Sequence, residues 1–251
     1  MARLTDYPVF AARGVRLNLR NPDALITALV LPVMLMLVFV YLFGGALEDT
    51  TGSYVTYVAP AVLVLCSGYG ASMTATSVTN DMTTGVIDRF RSMDASATAV
   101  LAGHVAASLV RNTLAILVVL AVALAIGFRP QAGPLEWGAA LAVLLLYVTV
   151  LSWLGAAAGL LARSVEAASG FTFLVLFLPY PSSAFVPVET MPGWLHGFAQ
   201  HQPVTSVIES LRALLLGQPV GNSAWTAVAW CVGLLLLTLP LCAALFQRRA
   251  R

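Results

Sequence analysis

The sequence has no lysine: all thirteen basic residues among its 251 are arginine. That absence excludes a P-loop, whose lysine reaches the bound phosphates, and any chemistry through a lysine Schiff base. Charge of either sign is scarce, at 10% of residues, where a soluble domain carries about 25%. With 59% hydrophobic residues and a mean hydropathy of +0.88, the chain cannot clothe a water-facing globule. Cysteine is limited to Cys66, Cys231 and Cys242, all inside apolar runs, which gives neither a disulfide framework nor a metal-ligand spacing. His104, His196 and His201 stand in no ligand pattern with carboxylates or cysteines, and no serine occupies a nucleophile-elbow sequence. The composition is that of an integral membrane protein without a catalytic cluster.

What the chain has in abundance is long apolar runs. A helix needs about 20 apolar residues to cross a hydrocarbon layer of about 30 Å. Uncharged stretches occur at 24–43, 54–79, 105–128, 137–162, 224–246 and, shorter, at 167–178. They are continuous rather than alternating, so helices are expected and a barrel is not. The first is read as a span rather than a cleaved leader, because twenty-odd residues precede it. The expected fold is therefore all-α: one membrane domain over 1–251 with six transmembrane helices. The arginines orient it. Ten of them fall on the side holding both termini, and only Arg129 and Arg212 fall on the other. The positive-inside rule then places both termini in the cytoplasm.

Residues 4–20 read as an amphipathic interfacial helix. Arg13, Arg16 and Arg20 share one arc, and Ala11, Val15 and Leu19 lie opposite. Ion-coupled carriers need ionisable groups at membrane depth, yet no Asp, Glu or His lies inside a run. The charged exception is Arg111, two turns into the third span, with His104 just before its start. Its reach lets it snorkel to the cytoplasmic headgroups, so it reads as an anchor rather than a substrate counter-ion. Any driving energy has to come from outside this chain.

Packing has its own trace. Gly155 and Gly159 form a GxxxG stretch that permits close backbone approach. The second span carries Ser67, Gly68, Gly70, Ser72, Thr74, Thr76 and Ser77. Either this face borders a translocation path, with Ser67, Tyr69, Ser72, Met73 and Thr76 as contacts, or its hydroxyls bond back to their own helix beside a packed neighbour.

Two segments outside the spans carry further information. In the cytoplasmic loop 80–103, Val86, Ile87, Phe90 and Met93 form an apolar ridge flanked by Asp88, Arg89 and Arg91. Such a ridge suits docking into another protein's groove or lying on the membrane. Residues 179–223 hold six prolines yet stay rich in Phe, Trp, Leu and Val. That composition points to extracellular re-entrant half-helices between helices 5 and 6. Within it, Glu209 and Arg212 stand at i, i+3, an ion-pair spacing.

Three stretches make the chain recognisable: 80–92 continuing through Val100-Leu101-Ala102-Gly103-His104, then Leu161-Ala162-Arg163-Ser164-Val165-Glu166, and then 182–195 running on to Gln202-Pro203-Val204-Thr205 and 211–217. In motif order and hydropathy the sequence resembles the type-2 permease family of ATP-binding-cassette (ABC) exporters, in its daunorubicin-resistance-type branch. The resemblance implies a permease that moves a hydrophobic or amphipathic compound, drug-like or lipid, out of the cytoplasm or inner leaflet of a bacterial plasma membrane. It implies no cofactor on this chain, with ATP and Mg on a separate cytoplasmic ABC ATPase subunit. The other partners implied are a second permease copy and membrane lipid, with no nucleic acid. Gly85, Val86, Ile87, Asp88, Arg89, Phe90, Arg91 and Met93 become the coupling helix against the ATPase. Phe185, Pro187, Glu189, Met191, Trp194, Glu209 and Arg212 become an outer gate. The competing reading is a non-transporting membrane scaffold, which shares the spans but has no ATPase partner. Replacing Phe90 with Asp is expected to abolish substrate-stimulated ATPase activity of the assembled complex while leaving membrane insertion intact; unchanged stimulation removes Phe90 from the contact.

Overall fold

The computed structural model describes residues 6–20, 22–46, 53–85 and 97–249. Among them every regular element is helical. In chain order these are α1 (Asp6–Leu19), α2 (Pro22–Val38, running into a π-helical turn at Phe39–Phe43), α3 (Tyr54–Thr83), α4 (Ala97–Ala125), α5 (Pro134–Leu161), α6 (Val165–Phe177), a 3-10 turn (Val188–Thr190), α7 (Gly193–His201), α8 (Pro203–Leu215) and α9 (Ser223–Arg249).

Five helical stretches are long and apolar enough to cross a membrane: Ile26–Ala46, Tyr54–Thr83, Ala99–Ala125, Pro134–Leu161 and Ser223–Arg249. The run expected as a fifth span is the 13-residue α6, about 20 Å long at 1.5 Å per residue. The helix boundaries have local causes. Pro22 and Pro134 sit in the first turn, where the missing amide costs nothing. Gly133 N–H donates to Glu136 Oε2 at 2.6 Å, tying down the start of α5. Ser164 caps α6 by accepting from Ala167 N–H at 3.2 Å. After α3 stops at Thr83, Gly85 takes φ +71°, the left-handed turn that glycine adopts without strain.

α3 is the hub, packed against α2, α4, α5, α6 and α8. It is the least apolar of the five long helices and the most deeply buried. The two facts belong together. Lipid tails are as apolar as leucine, so helices associate in a membrane through close packing and hydrogen bonds. Small residues let that happen here. An added Cβ at Gly155 would stand 2.3 Å from the Ala71 carbonyl oxygen, and one at Gly159 would stand 2.4 Å from that of Ala75. The expected GxxxG contact is therefore the α3–α5 seam. Thr79 Oγ1 closes it by donating to Gly159 O at 3.0 Å.

α1 packs on α4 by the same device. A Cβ at Gly14 would lie 2.6 Å from Gly103 O, and one at Gly103 would lie 2.8 Å from Phe10 O. This divides the basic arc expected to face the headgroups. Arg16 and Arg20 are exposed, but Arg13 turns inward and reaches Asp81 of α3 at 4.0 Å. One end of the bundle thus gathers α1, the end of α3, the start of α4 and the ends of α5 and α9. There Arg249 donates to the Leu161 carbonyl at 3.4 Å, completing the end of α5.

Replacing Gly155 with Leu is expected to lower the thermal unfolding midpoint of the detergent-solubilised protein, at a cost of about 1–3 kcal/mol for overpacking. Gly138→Ala, whose Cβ meets nothing within 4 Å, serves as the control with an unchanged midpoint. Equal midpoints for both variants would remove the seam from the account.

Candidate functional site

The site is organised along α3, from its polar middle to its two ends. At mid-helix, Ser72 donates to Gly68 O at 3.1 Å, Thr74 to Gly70 O at 2.9 Å and Thr76 to Met73 O at 3.0 Å. The hydroxyls bond back to their own helix, which is the packing alternative drawn from the sequence. Ser67 is fully buried, and its oxygen has no hydrogen-bond partner among the described residues. The residues expected along a path therefore divide. Ser67 and Ser72 are sealed against neighbouring helices, while Tyr69, Met73 and Thr76 remain half-buried at i, i+4, i+7. Those three make one stripe on the open side of α3.

Behind that stripe lies a polar knot. Arg111 does not snorkel; its side chain is buried against α3, where Nη2 donates to Gly70 O at 2.8 Å. Thr74 Oγ1 and Ser108 Oγ stand 3.4 and 3.5 Å from the same nitrogen. Gly70 makes the space. A Cβ there would fall 1.9 Å from Asn112 Nδ2, which donates to Ser108 O at 2.9 Å. Ser152 of α5 adds a third helix by donating to Ser108 Oγ at 2.8 Å. A guanidinium with fixed acceptors on the facing helix gains more from them than from reaching out of the bundle, so the anchoring expectation fails. Only a partner glycine 41 positions away signals this in the sequence.

At one end of α3, Asp81 accepts from His104 Nε2 at 3.2 Å and faces Arg13 at 4.0 Å. This clasp joins α1, α3 and α4 just before the loop expected to couple. Of the residues assigned to that loop, Gly85 is placed, while Val86, Ile87, Asp88, Arg89, Phe90, Arg91 and Met93 lie outside the described residues.

At the other end, the segment after α6 folds back onto the start of α3. Tyr54 OH donates to Phe185 O at 3.2 Å, and Tyr57 OH to Ser183 O at 2.9 Å. Arg212 of α8 completes the latch. Its guanidinium carbon sits 3.9 Å from the Tyr57 ring centroid, and its nitrogens donate to Tyr57 O at 3.2 Å and Ser183 O at 2.8 Å. The expected pairing of Arg212 with Glu209 is not formed. Glu209 is exposed, and the guanidinium is taken up by an aromatic face and two fixed carbonyls. Phe185 is buried and stacks on Phe39 of the π-helical turn with centroids 4.1 Å apart. Pro187 accepts from Thr190 Oγ1 at 2.7 Å, and Met191 O meets His196 Nε2 at 2.8 Å, which fixes the turn leading into α7. Glu189 and Trp194 are exposed; Trp194 borders an apolar groove with Phe177, Tyr180 and Phe198. Of the expected gate residues, Phe185 and Arg212 converge on the latch, Pro187 and Met191 hold the turn into α7, and Glu189, Trp194 and Glu209 are exposed. Tyr54 and Tyr57 were missed, although two tyrosines three apart at the mouth of a span are an interfacial signal.

The ABC-2 type transporter family matches residues 6–216. The chain is 35% identical over 216 residues to the daunorubicin resistance ABC transporter permease protein DrrB1 of Streptomyces coeruleorubidus, covering 86% of this chain and 74% of that one. It is 25% identical over 223 residues to the probable doxorubicin resistance ABC transporter permease protein DrrC of Mycobacterium tuberculosis, covering 86% and 78%.

Replacing Arg212 with Ala removes the cation–π contact and two charge-assisted hydrogen bonds. It is expected to loosen residues 179–187 by about 1–3 kcal/mol, which is roughly tenfold faster amide exchange for each 1.4 kcal/mol. Exchange unchanged from wild type would show that the latch holds without it.

Proposed function

The chain belongs to the ABC-2 type transporter family, and from that premise we propose how its helices carry out export. It is a multi-pass membrane permease of an ABC exporter, of the drug-resistance kind. The family separates the ATPase onto another subunit and pairs two permeases.

The finer reading is ours. The arginine-rich end, with both termini, faces the cytoplasm of a bacterial plasma membrane. α6 and the turns that follow it make the sixth crossing, and α7 and α8 are re-entrant on the outer side. The coupling helix expected around 85–93 seats in the ATPase, where ATP and Mg²⁺ reside, and Asp81 holds the base of its loop to α1 and α4. The cargo is a hydrophobic or amphipathic compound, drug-like or lipid; the relatives are named for daunorubicin and doxorubicin resistance, which supports the drug-like class. It passes along the stripe of Tyr69, Met73 and Thr76. Nucleotide-driven closure of the ATPase pair rocks the two permeases and strains the Tyr54–Tyr57–Arg212 latch until the outer segment releases. The observation that carries this reading is the open stripe on α3, set between a charged clasp at one end and a hydrogen-bonded latch at the other.

Inverted vesicles containing the chain and its ATPase are expected to accumulate daunorubicin only with ATP and Mg²⁺. Met73→Trp is expected to block accumulation while basal ATP hydrolysis continues. Uptake driven by an ion gradient without nucleotide contradicts the proposal, and normal uptake by Met73→Trp removes the stripe from the path.

A further inference from the structure

A cavity of about 280 Å³ opens between α4, α5 and α8, near the outer end of the bundle where Gln131 N–H donates to Leu215 O at 2.9 Å. Its wall includes Ile116 and Leu120 of α4, Trp137 and Gly138 of α5, and Leu211 and Leu215 of α8. The indole of Trp137 carries the only polar side-chain atom in the lining. Leu117 and Leu141, 55% and 49% exposed, form the rim and open the cavity sideways onto the surroundings of the bundle. Because α4 and α5 are membrane-spanning helices, those surroundings are hydrocarbon. Ile116 and Leu120 lie nine and five residues before the end of α4 at Ala125, about 8–14 Å below it. Just beyond that end the exposed Arg129 donates to Leu124 O at 2.9 Å and Phe128 O at 3.0 Å, which holds a cation at headgroup level.

We propose that this cavity binds one acyl chain of a phospholipid from the adjoining leaflet, with the lipid phosphate toward Arg129. Water needs two to four polar partners to occupy a void, and this lining does not supply them. A void left empty forfeits dispersion contacts along its whole wall, and fluid hydrocarbon stands at its mouth. The size fits a chain. An apolar cavity of roughly 150 Å³ takes up the six carbons of benzene, so one of about 280 Å³ holds about eleven. Gly138 lies in the lining, and a Cβ there meets nothing within 4 Å.

The position gives the lipid a role. Leu211 and Leu215 on the cavity wall flank Arg212, the residue that grips Tyr57 and Ser183. The chain packs beneath the latch helix and braces it from the membrane side. The inference rests on the helices spanning the bilayer and not on what the protein exports.

The test uses the full chain assembled with its ATPase in phosphatidylglycerol and phosphatidylcholine vesicles that contain a trace of phospholipid with a diazirine at mid-chain. After irradiation, label is mapped by mass spectrometry. Labelling at Leu117, Leu120 and Leu141 is expected to exceed by several-fold that at Leu236 and Leu237, which are at least as exposed on α9. Gly138→Leu, which adds a branched side chain at the cavity lining, is expected to reduce the excess and leave the α9 label unchanged. Equal labelling at the two places overturns the proposal. Loss of the cavity label on adding daunorubicin overturns it in favour of a cargo site. Oxidative cross-linking between two Leu141→Cys chains overturns it in favour of an interface between copies.

Discussion

The carbonyl oxygens of α3 are the surface on which the bundle depends. Gly155 and Gly159 press against those of Ala71 and Ala75, and Arg111 is anchored on that of Gly70. In water such contacts would be minor beside the burial of leucines. In lipid the leucines gain little by meeting one another, and close backbone approach with interhelical hydrogen bonds becomes the source of specificity. Individual bonds of this kind contribute about 0.6 kcal/mol on average. They are aligned along one helix, from Gly70, which meets α4, to Thr79, which meets α5.

A helix fixed this way joins distant events. α3 has 30 residues, about 45 Å. One end carries Asp81 and runs into the loop proposed to meet the ATPase, and the other presents Tyr54 and Tyr57 to the segment that follows α6. Its two ends are held by polar contacts, while its middle is held by close backbone approach together with the buried Arg111 knot. In the proposed cycle, motion that enters at the clasp is passed along α3 to the latch. The half-open stripe of Tyr69, Met73 and Thr76 lies on the side not committed to packing.

Much of this was legible in the sequence where the signal is local. Small residues at i and i+4 in an apolar run announce close approach, and Gly155 and Gly159 deliver it. The apolar, proline-rich stretch 179–223 points to re-entrant half-helices; two short helices, α7 and α8, form there, and Phe185 and Arg212 meet the start of α3. Local reasoning failed where the deciding partner is remote. The i, i+3 spacing of Glu209 and Arg212 suggested an ion pair, but the acceptors that win are 155 and 29 positions away. Arg111 was assigned to the headgroups because nothing within its own helix shows that Gly70 has cleared a place for it on α3. The hydroxyls of α3 were ambiguous for the opposite reason, since a serine bonded back to its helix and one facing a path look alike in sequence.

The central claim is that α3 stays intact while work supplied by the partner opens the latch. Hydrogen exchange of the assembled complex, compared with and without a non-hydrolysable ATP analogue, tests it directly. The account predicts that bound nucleotide speeds exchange across residues 179–187 and leaves the middle of α3, residues 69–79, as protected as before. Exchange at 179–187 that ignores nucleotide, or protection lost equally along α3, would contradict it.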